Sequence, residues 1–248
     1  MKMMILAPRR PDMSHAQFRS YLTDVHGPLV RSVPEVAADF HSYVYNFPVQ
    51  GQADPLLGHP LADLDVVTQG VFDSIEAQRA NMRLPAYLER VRPDEGRFAN
   101  EGRALMHYTS EHCVHEGPTS LHKVFWFRRR RQGLARDAFQ RAWRDHYAPR
   151  MAELATTWGA ATRFVLNETM PAKEHRHGDD PRYFDVIDEL GLPPPGSAPR
   201  TGGAAWPASP SPAALANIRA LEAEWLETGR TLALVTELVV SIPPGSDK

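Results

Sequence analysis

The sequence is nearly without cysteine. Cys113 is the single one in 248 residues, which excludes an intramolecular disulfide and any C-x-x-C metal or redox arrangement. It has no apolar run of 18 residues, so no transmembrane helix is expected. The apolar start Met1–Pro8 leads straight into Arg9-Arg10; it is too short for a signal h-region and reads as a strand. Positive charge is not in excess either. A formal net charge of −2 argues against a general nucleic-acid binder. The Arg128-Arg129-Arg130-Arg131 run reads instead as a strand entering a charged turn. Gly-rich phosphate loops, nucleophile elbows and dinucleotide fingerprints are all missing. The expectation is a cytoplasmic protein without a cofactor.

What the chain does have is an internal repeat. A shift of 121 positions carries Lys2 onto Lys123, Arg9 onto Arg130, Arg10 onto Arg131 and Phe18 onto Phe139. It also carries Asp24 onto Asp145, Pro28 onto Pro149, Val44 onto Val165 and Asn46 onto Asn167. One ungapped offset over nearly fifty residues marks a duplication. The closing strands align at 126, Ser110-Glu111 on Thr236-Glu237, so the second copy carries insertions. The Pro- and Gly-rich stretch 191–212 is the obvious place, and it reads as a loop or lid. The expected units are 1–117 and 118–248.

Each unit reads β-α-β-β-α-β. In the first, 2–7 is a strand, and Ser14 with Gln17 forms a capping box for a helix whose apolar face is Phe18, Tyr21, Leu22 and Val25. Gly27-Pro28 is expected to end that helix. His41–Phe47, Leu64–Thr68 and Ala104–Val114 read as strands, and Ser74–Val91 as a helix. In the second, strands are expected over His122–Arg128, Ala161–Glu168, Tyr183–Leu190 and Thr231–Ile242. Helices are expected over Arg136–Tyr147, with His146 on its apolar face, and over Pro212–Thr228. Such units form antiparallel sheets with helices on one face. Two of them can cover each other's open faces, which predicts a pseudo-symmetric α+β barrel.

The Arg9-Arg10-Pro11 turn, then Phe18, then His26-Gly27-Pro28-Leu29-Val30, with Gly70–Ala77 later, resembles the EthD family. The resemblance covers both halves. It implies two ferredoxin-like repeats in a fold of the dimeric α+β barrel type. It also implies metal-free decarboxylation, dehydration, cyclisation or isomerisation of a hydrophobic, oxygenated, aromatic or polyketide-like small molecule. A non-catalytic carrier of such a ligand, or a haem-binding barrel, are the alternatives. A homodimer of fused barrels is compatible with this reading.

His26 faces Tyr147 across the repeat. A histidine near the helix end can act as general acid or base at neutral pH, and the helix dipole would favour its cationic form. Capping of the last carbonyls is the plainer account. Tyr147 can donate a proton or fill core space, and His146 can contact substrate or simply face solvent. Asn46 and Asn167 offer carboxamides to a developing oxyanion, or serve as strand-end residues. Asp24 and Asp145 are expected to pair with Arg9 and Arg130. His41, Tyr43 and Tyr45 share a strand face that, with Trp126, suits an aromatic substrate or a sheet–helix interface. His107 and Glu111 share a face as an acid–base pair or as solvated surface. His175, His177, Asp179 and Asp180 have metal-ligand chemistry but no matching partners in spacing. The expected catalytic set is His26, Tyr147 and Asn46.

Overall fold

A computed structural model describes residues 1–157, 162–170, 182–193, 210–227 and 229–243. Eight strands form a closed antiparallel barrel: β1 (Lys2–Ala7), β2 (Ser42–Pro48), β3 (Val66–Val71), β4 (Leu105–His115), β5 (His122–Arg128), β6 (Phe164–Thr169), β7 (Val186–Leu192) and β8 (Leu232–Ile242). Their order is β1-β3-β2-β8-β5-β7-β6-β4. β2 pairs with β8, and β4 with β6; these two seams join the first half of the chain to the second.

The first helical arm opens at Ser14, whose hydroxyl accepts from the Gln17 amide while the Gln17 side chain accepts from the Ser14 amide. α1 (His15–Tyr21) then widens into a π turn, Leu22–His26, and continues as α2 (Gly27–Arg31). Gly27-Pro28 therefore does not end the helix. A π turn closes i to i+5 bonds, here from the Gly27 amide to the Leu22 carbonyl. That wider turn accommodates Pro28, which has no amide hydrogen to give.

The same event recurs in the second half: a helix over Arg136–Ala142, a π turn over Trp143–Tyr147, then a helix over Ala148–Thr157, with Pro149 as its second residue. A third π turn, Tyr87–Val91, precedes Pro93. The helix expected over Ser74–Val91 is thus a helix over Ile75–Asn81, that turn, and a short helix over Arg92–Glu95. A last helix, Pro212–Trp225, lies before β8.

The extra residue in each π turn rotates the buried face by one position. Val25, expected inside, is 44% exposed, and His26 takes its place at 4%. In the second half His146 is exposed and Tyr147 is buried.

Alternation along the strands separates two kinds of core. Tyr43, Tyr45, Phe47 and Tyr108 pack with Phe18 and Leu22 under the first half's helices. Val124, Trp126, Phe164 and Leu166 pack with Phe139 and Trp143 under the second half's. The opposite faces meet inside the barrel, with Met4, Leu6, Phe125, Phe127 and Ile187 forming an apolar plug. Burying a phenylalanine of this kind stabilises by roughly 1.5–3 kcal/mol. The barrel interior is also polar in part. Lys2 on β1 reaches Glu189 on β7 at 3.2 Å, and these strands are not neighbours, so the pair spans the interior.

Candidate active site

The π turn aims His26 into the space between the first half's helices and its sheet. His26 Nδ1 lies 3.0 Å from Asp94 Oδ2, and the Tyr21 hydroxyl donates to Asp94 Oδ1 at 2.5 Å. A carboxylate only accepts, so Nδ1 carries the proton and Nε2 keeps its lone pair. The ring rests against Phe98, with centroids 4.7 Å apart. Burial pushes the His26 pKa below its ordinary value, although the hydrogen bond and charge of Asp94 act the other way. The imidazole is therefore neutral at pH 7. This reverses the helix-dipole expectation of a cationic His26, because the helix runs on past it as α2.

Phenols surround the dyad. Tyr43 and Tyr45 project from β2 with ring centroids 5.2 Å apart, and the Tyr87 hydroxyl donates to Glu95 Oε1 at 2.6 Å. Burial raises the pKa of all three, so they keep their protons. Gly27 permits the close fit. A Cβ there would sit 3.0 Å from the Leu22 carbonyl oxygen, 3.1 Å from Ser241 Oγ and 3.5 Å from the Tyr45 ring.

The equivalent space in the second half is filled. Tyr147 stacks on Trp143 with centroids 3.7 Å apart, and its hydroxyl accepts from the fully buried Arg128. Arg128 also bonds Asp188 at 2.9 Å and Glu222 at 2.6 Å. Burial raises the Tyr147 pKa well above its ordinary value, outweighing the opposite pull of Arg128. A loop of the first half enters here too. Leu56 and Leu57 join this core, Asp54 accepts from Trp126 Nε1 at 2.8 Å, and His59 meets Glu222 at 3.0 Å.

Asn46 and Asn167 lie in the barrel interior, on the opposite sheet face from His26. Each carboxamide nitrogen donates to a strand carbonyl, Val67 at 2.9 Å and Ile187 at 3.0 Å. With them sit Gln69 and the Lys2–Glu189–Lys123 group, in which Lys123 Nζ is 2.5 Å from Glu189 Oε1. Burial alone would raise the Glu189 pKa, but Lys123 and Lys2 hold the carboxyl well below the usual carboxylate range.

The other expected residues are scattered. His41 is exposed and pairs with Asp73 at 2.6 Å. His146 faces solvent. His107 and Glu111 do not pair; His107 is wholly buried against Tyr183, while Glu111 binds Lys2 at 2.6 Å. Asp24 and Asp145 do not meet Arg9 and Arg130. Those arginines bond Asp65 and Asp185, at the start of the third strand of each half. His175, His177, Asp179 and Asp180, and residues 194–209 of the expected lid, lie outside the described residues.

Of the residues expected from sequence, the structure brings His26, Tyr43 and Tyr45 into one core, together with Asp94, Tyr21, Tyr87 and Phe98, which were not in the expected set. Asp94 lies 68 positions from His26, beyond the expected end of its helix. The available signal was Arg92-Pro93-Asp94-Glu95, a proline at the first turn followed by acids, which marks a new helix start.

Comparison with known proteins adds the following. The EthD domain model matches residues 10–102. The conidial pigment biosynthesis dehydratase EthD of Metarhizium robertsii (strain ARSEF 23 / ATCC MYA-3075) is 34% identical over 110 residues, covering 41% of this chain and 75% of that protein. The dehydratase ustZ of Ustilaginoidea virens is 32% identical over 111 residues, covering 41% and 76%. Among solved structures, an anthrone oxidase-like protein aligns over 97% of this chain and 92% of its own, with a TM-score of 0.59 and 11% identity. That likeness is one of fold.

Proposed function

The chain belongs to the EthD domain family, and from that membership we propose that it is a cofactor-independent lyase that dehydrates a hydrophobic, oxygenated aromatic or polyketide-like small molecule. The observation that carries this is the buried His26–Asp94 dyad. Two relatives named as dehydratases support the reaction class. We read the chain as two fused ferredoxin-like units, 1–117 and 118–248, with one working cleft, in the first.

His26 Nε2 removes a proton from the carbon beside a substrate carbonyl. Asp94 fixes the ring and steadies the imidazolium that forms, and Tyr21 fixes Asp94. The C–O bond at the adjacent carbon then breaks. The imidazolium returns the same proton to the departing hydroxyl, which leaves as water, and a conjugated double bond remains. The base is neutral when substrate arrives because burial has already lowered its pKa.

The test is turnover of a panel of β-hydroxy aryl ketones, read by mass spectrometry as loss of one water. His26→Ala should lower kcat by about 10²–10⁴-fold per folded molecule, beyond the loss of stability expected from truncating a buried ring. Unchanged turnover in His26→Ala would refute the assignment.

A further inference from the structure

Proton abstraction beside a carbonyl leaves negative charge on the carbonyl oxygen, and a group must meet it there. Tyr45 is on the side of the sheet that faces His26, 1% exposed. Its ring lies against Gly27, the residue that follows His26. With Tyr43 and Ser241 as its nearest polar neighbours, its hydroxyl makes no hydrogen bond of good geometry among the described residues. Most buried polar side-chain atoms have one, and an unmade hydrogen bond of this kind costs about 1–3 kcal/mol. The neighbouring phenols differ in this respect, since Tyr21 and Tyr87 are each committed to a carboxylate.

The repeat sharpens the point. At the shift of 121 positions, Tyr45 falls on Leu166 and Tyr43 on Phe164. Both second-half residues are fully buried in the corresponding core. A purely packing role at this position is therefore met without a hydroxyl. The first half keeps the hydroxyl, and keeps it without a well-formed hydrogen bond, next to Gly27 and so near its histidine.

We propose that Tyr45 is a catalytic residue that donates its phenolic hydrogen bond to the substrate's carbonyl oxygen, so that the site selects aryl ketones. This rests on the reading of His26 as the base. Tyr45 supplies the electrophilic half of the pair: its hydrogen bond strengthens as the oxygen gains charge, and its proton stays on the phenol. Burial raises its pKa further still.

The test uses the full chain and the non-reacting ketone 1-tetralone, labelled with carbon-13 at the carbonyl. Infrared difference spectra of bound 1-tetralone should show the carbonyl band moved to lower frequency in the wild type and in His26→Ala, and returned to its unbound position in Tyr45→Phe. On turnover of the β-hydroxy aryl ketone panel, Tyr45→Phe should lose about 10²-fold in kcat, with little change in KM and no loss of thermal stability. No binding of 1-tetralone, an unshifted band in the wild type, or a shift that survives Tyr45→Phe would each overturn the proposal. The two assignments fail separately. Full activity in His26→Ala removes the base, whereas full activity in Tyr45→Phe with a dead His26→Ala removes only the donor. Loss of stability in Tyr45→Phe with kcat unchanged would reduce Tyr45 to a packing residue.

Discussion

Each half of the chain runs strand, helix, π turn, helix, and the two differ in what fills the space between helices and sheet. Position by position, Tyr21, His26, Gly27, Tyr43 and Tyr45 in the first half face Ala142, Tyr147, Ala148, Phe164 and Leu166 in the second. The first set holds a histidine–carboxylate dyad and a phenol without a well-formed hydrogen bond. The second holds a guanidinium with two carboxylates, a phenol and an indole, all mutually satisfied. A saturated network has nothing left to offer a ligand. The difference teaches that two buried polar clusters in like places can be committed to different degrees: His26 Nε2 is left with a lone pair, while the Arg128 cluster is knitted together.

The largest expected effect that would break this comparison is on stability. Arg128→Met should leave Asp188 and Glu222 buried without their cation and cost about 3–5 kcal/mol, read by urea unfolding. Turnover per folded molecule should hold. If the variant were dead but fully stable, the second half would be the reacting one.

Next is Asp94→Asn, which should lower kcat by about 10²-fold with little change in stability. Its pH profile adds a sign. Asp94 raises the His26 pKa against the lowering by burial, so its charge removed, the acid limb of kcat/KM should move to lower pH. In the wild type that limb already lies below the ordinary histidine value of about 6.5. Stability follows the same sense. His26 binds its proton less readily folded than unfolded, so its contribution is complete above pH 6.5 and is lost as pH falls through the folded value.

Glu222 gives a smaller, separable signal in the second half. Burial opposes its ionisation, but Arg128 and His59 hold its pKa down to about 2. That stability is present above about pH 4.5, the ordinary glutamate range, and is lost as pH falls toward 2. Glu222→Gln should flatten the acid limb of the unfolding curve without moving the pH profile of turnover. Smallest of all is His146→Ala, which removes an exposed side chain and should change stability by less than about 0.5 kcal/mol and activity not at all. A measurable loss of turnover would return His146 to the site.

Much of the fold was legible because strands carry their own signature. β1 and β5 fall where short apolar runs end at Pro8 and at the arginine run. Ser14 and Gln17 announced their capping box. The candidate site was less legible than the fold. His26 stood out because the repeat replaces it by Tyr147, but a regular helical wheel places Val25 and His146 inside instead. A single inserted residue per turn, invisible to any fixed period, exchanges them for His26 and Tyr147. Pro28 and Pro149 were the clue, read as stops when they mark a widening. Asp94 was hidden for another reason: partners distant in sequence are joined by topology, and topology leaves no local trace.

The closure of the barrel carries a consequence for assembly. Among the described residues every strand has two neighbours, with β4 returning to β1, so none of these strands leaves a row of free backbone donors and acceptors at a sheet rim. Chains that expose such rims recruit one another by strand addition, and full closure removes that route. Self-association through the barrel would therefore have to run through the helical layers, where contacts are made by side chains and can be tuned one residue at a time.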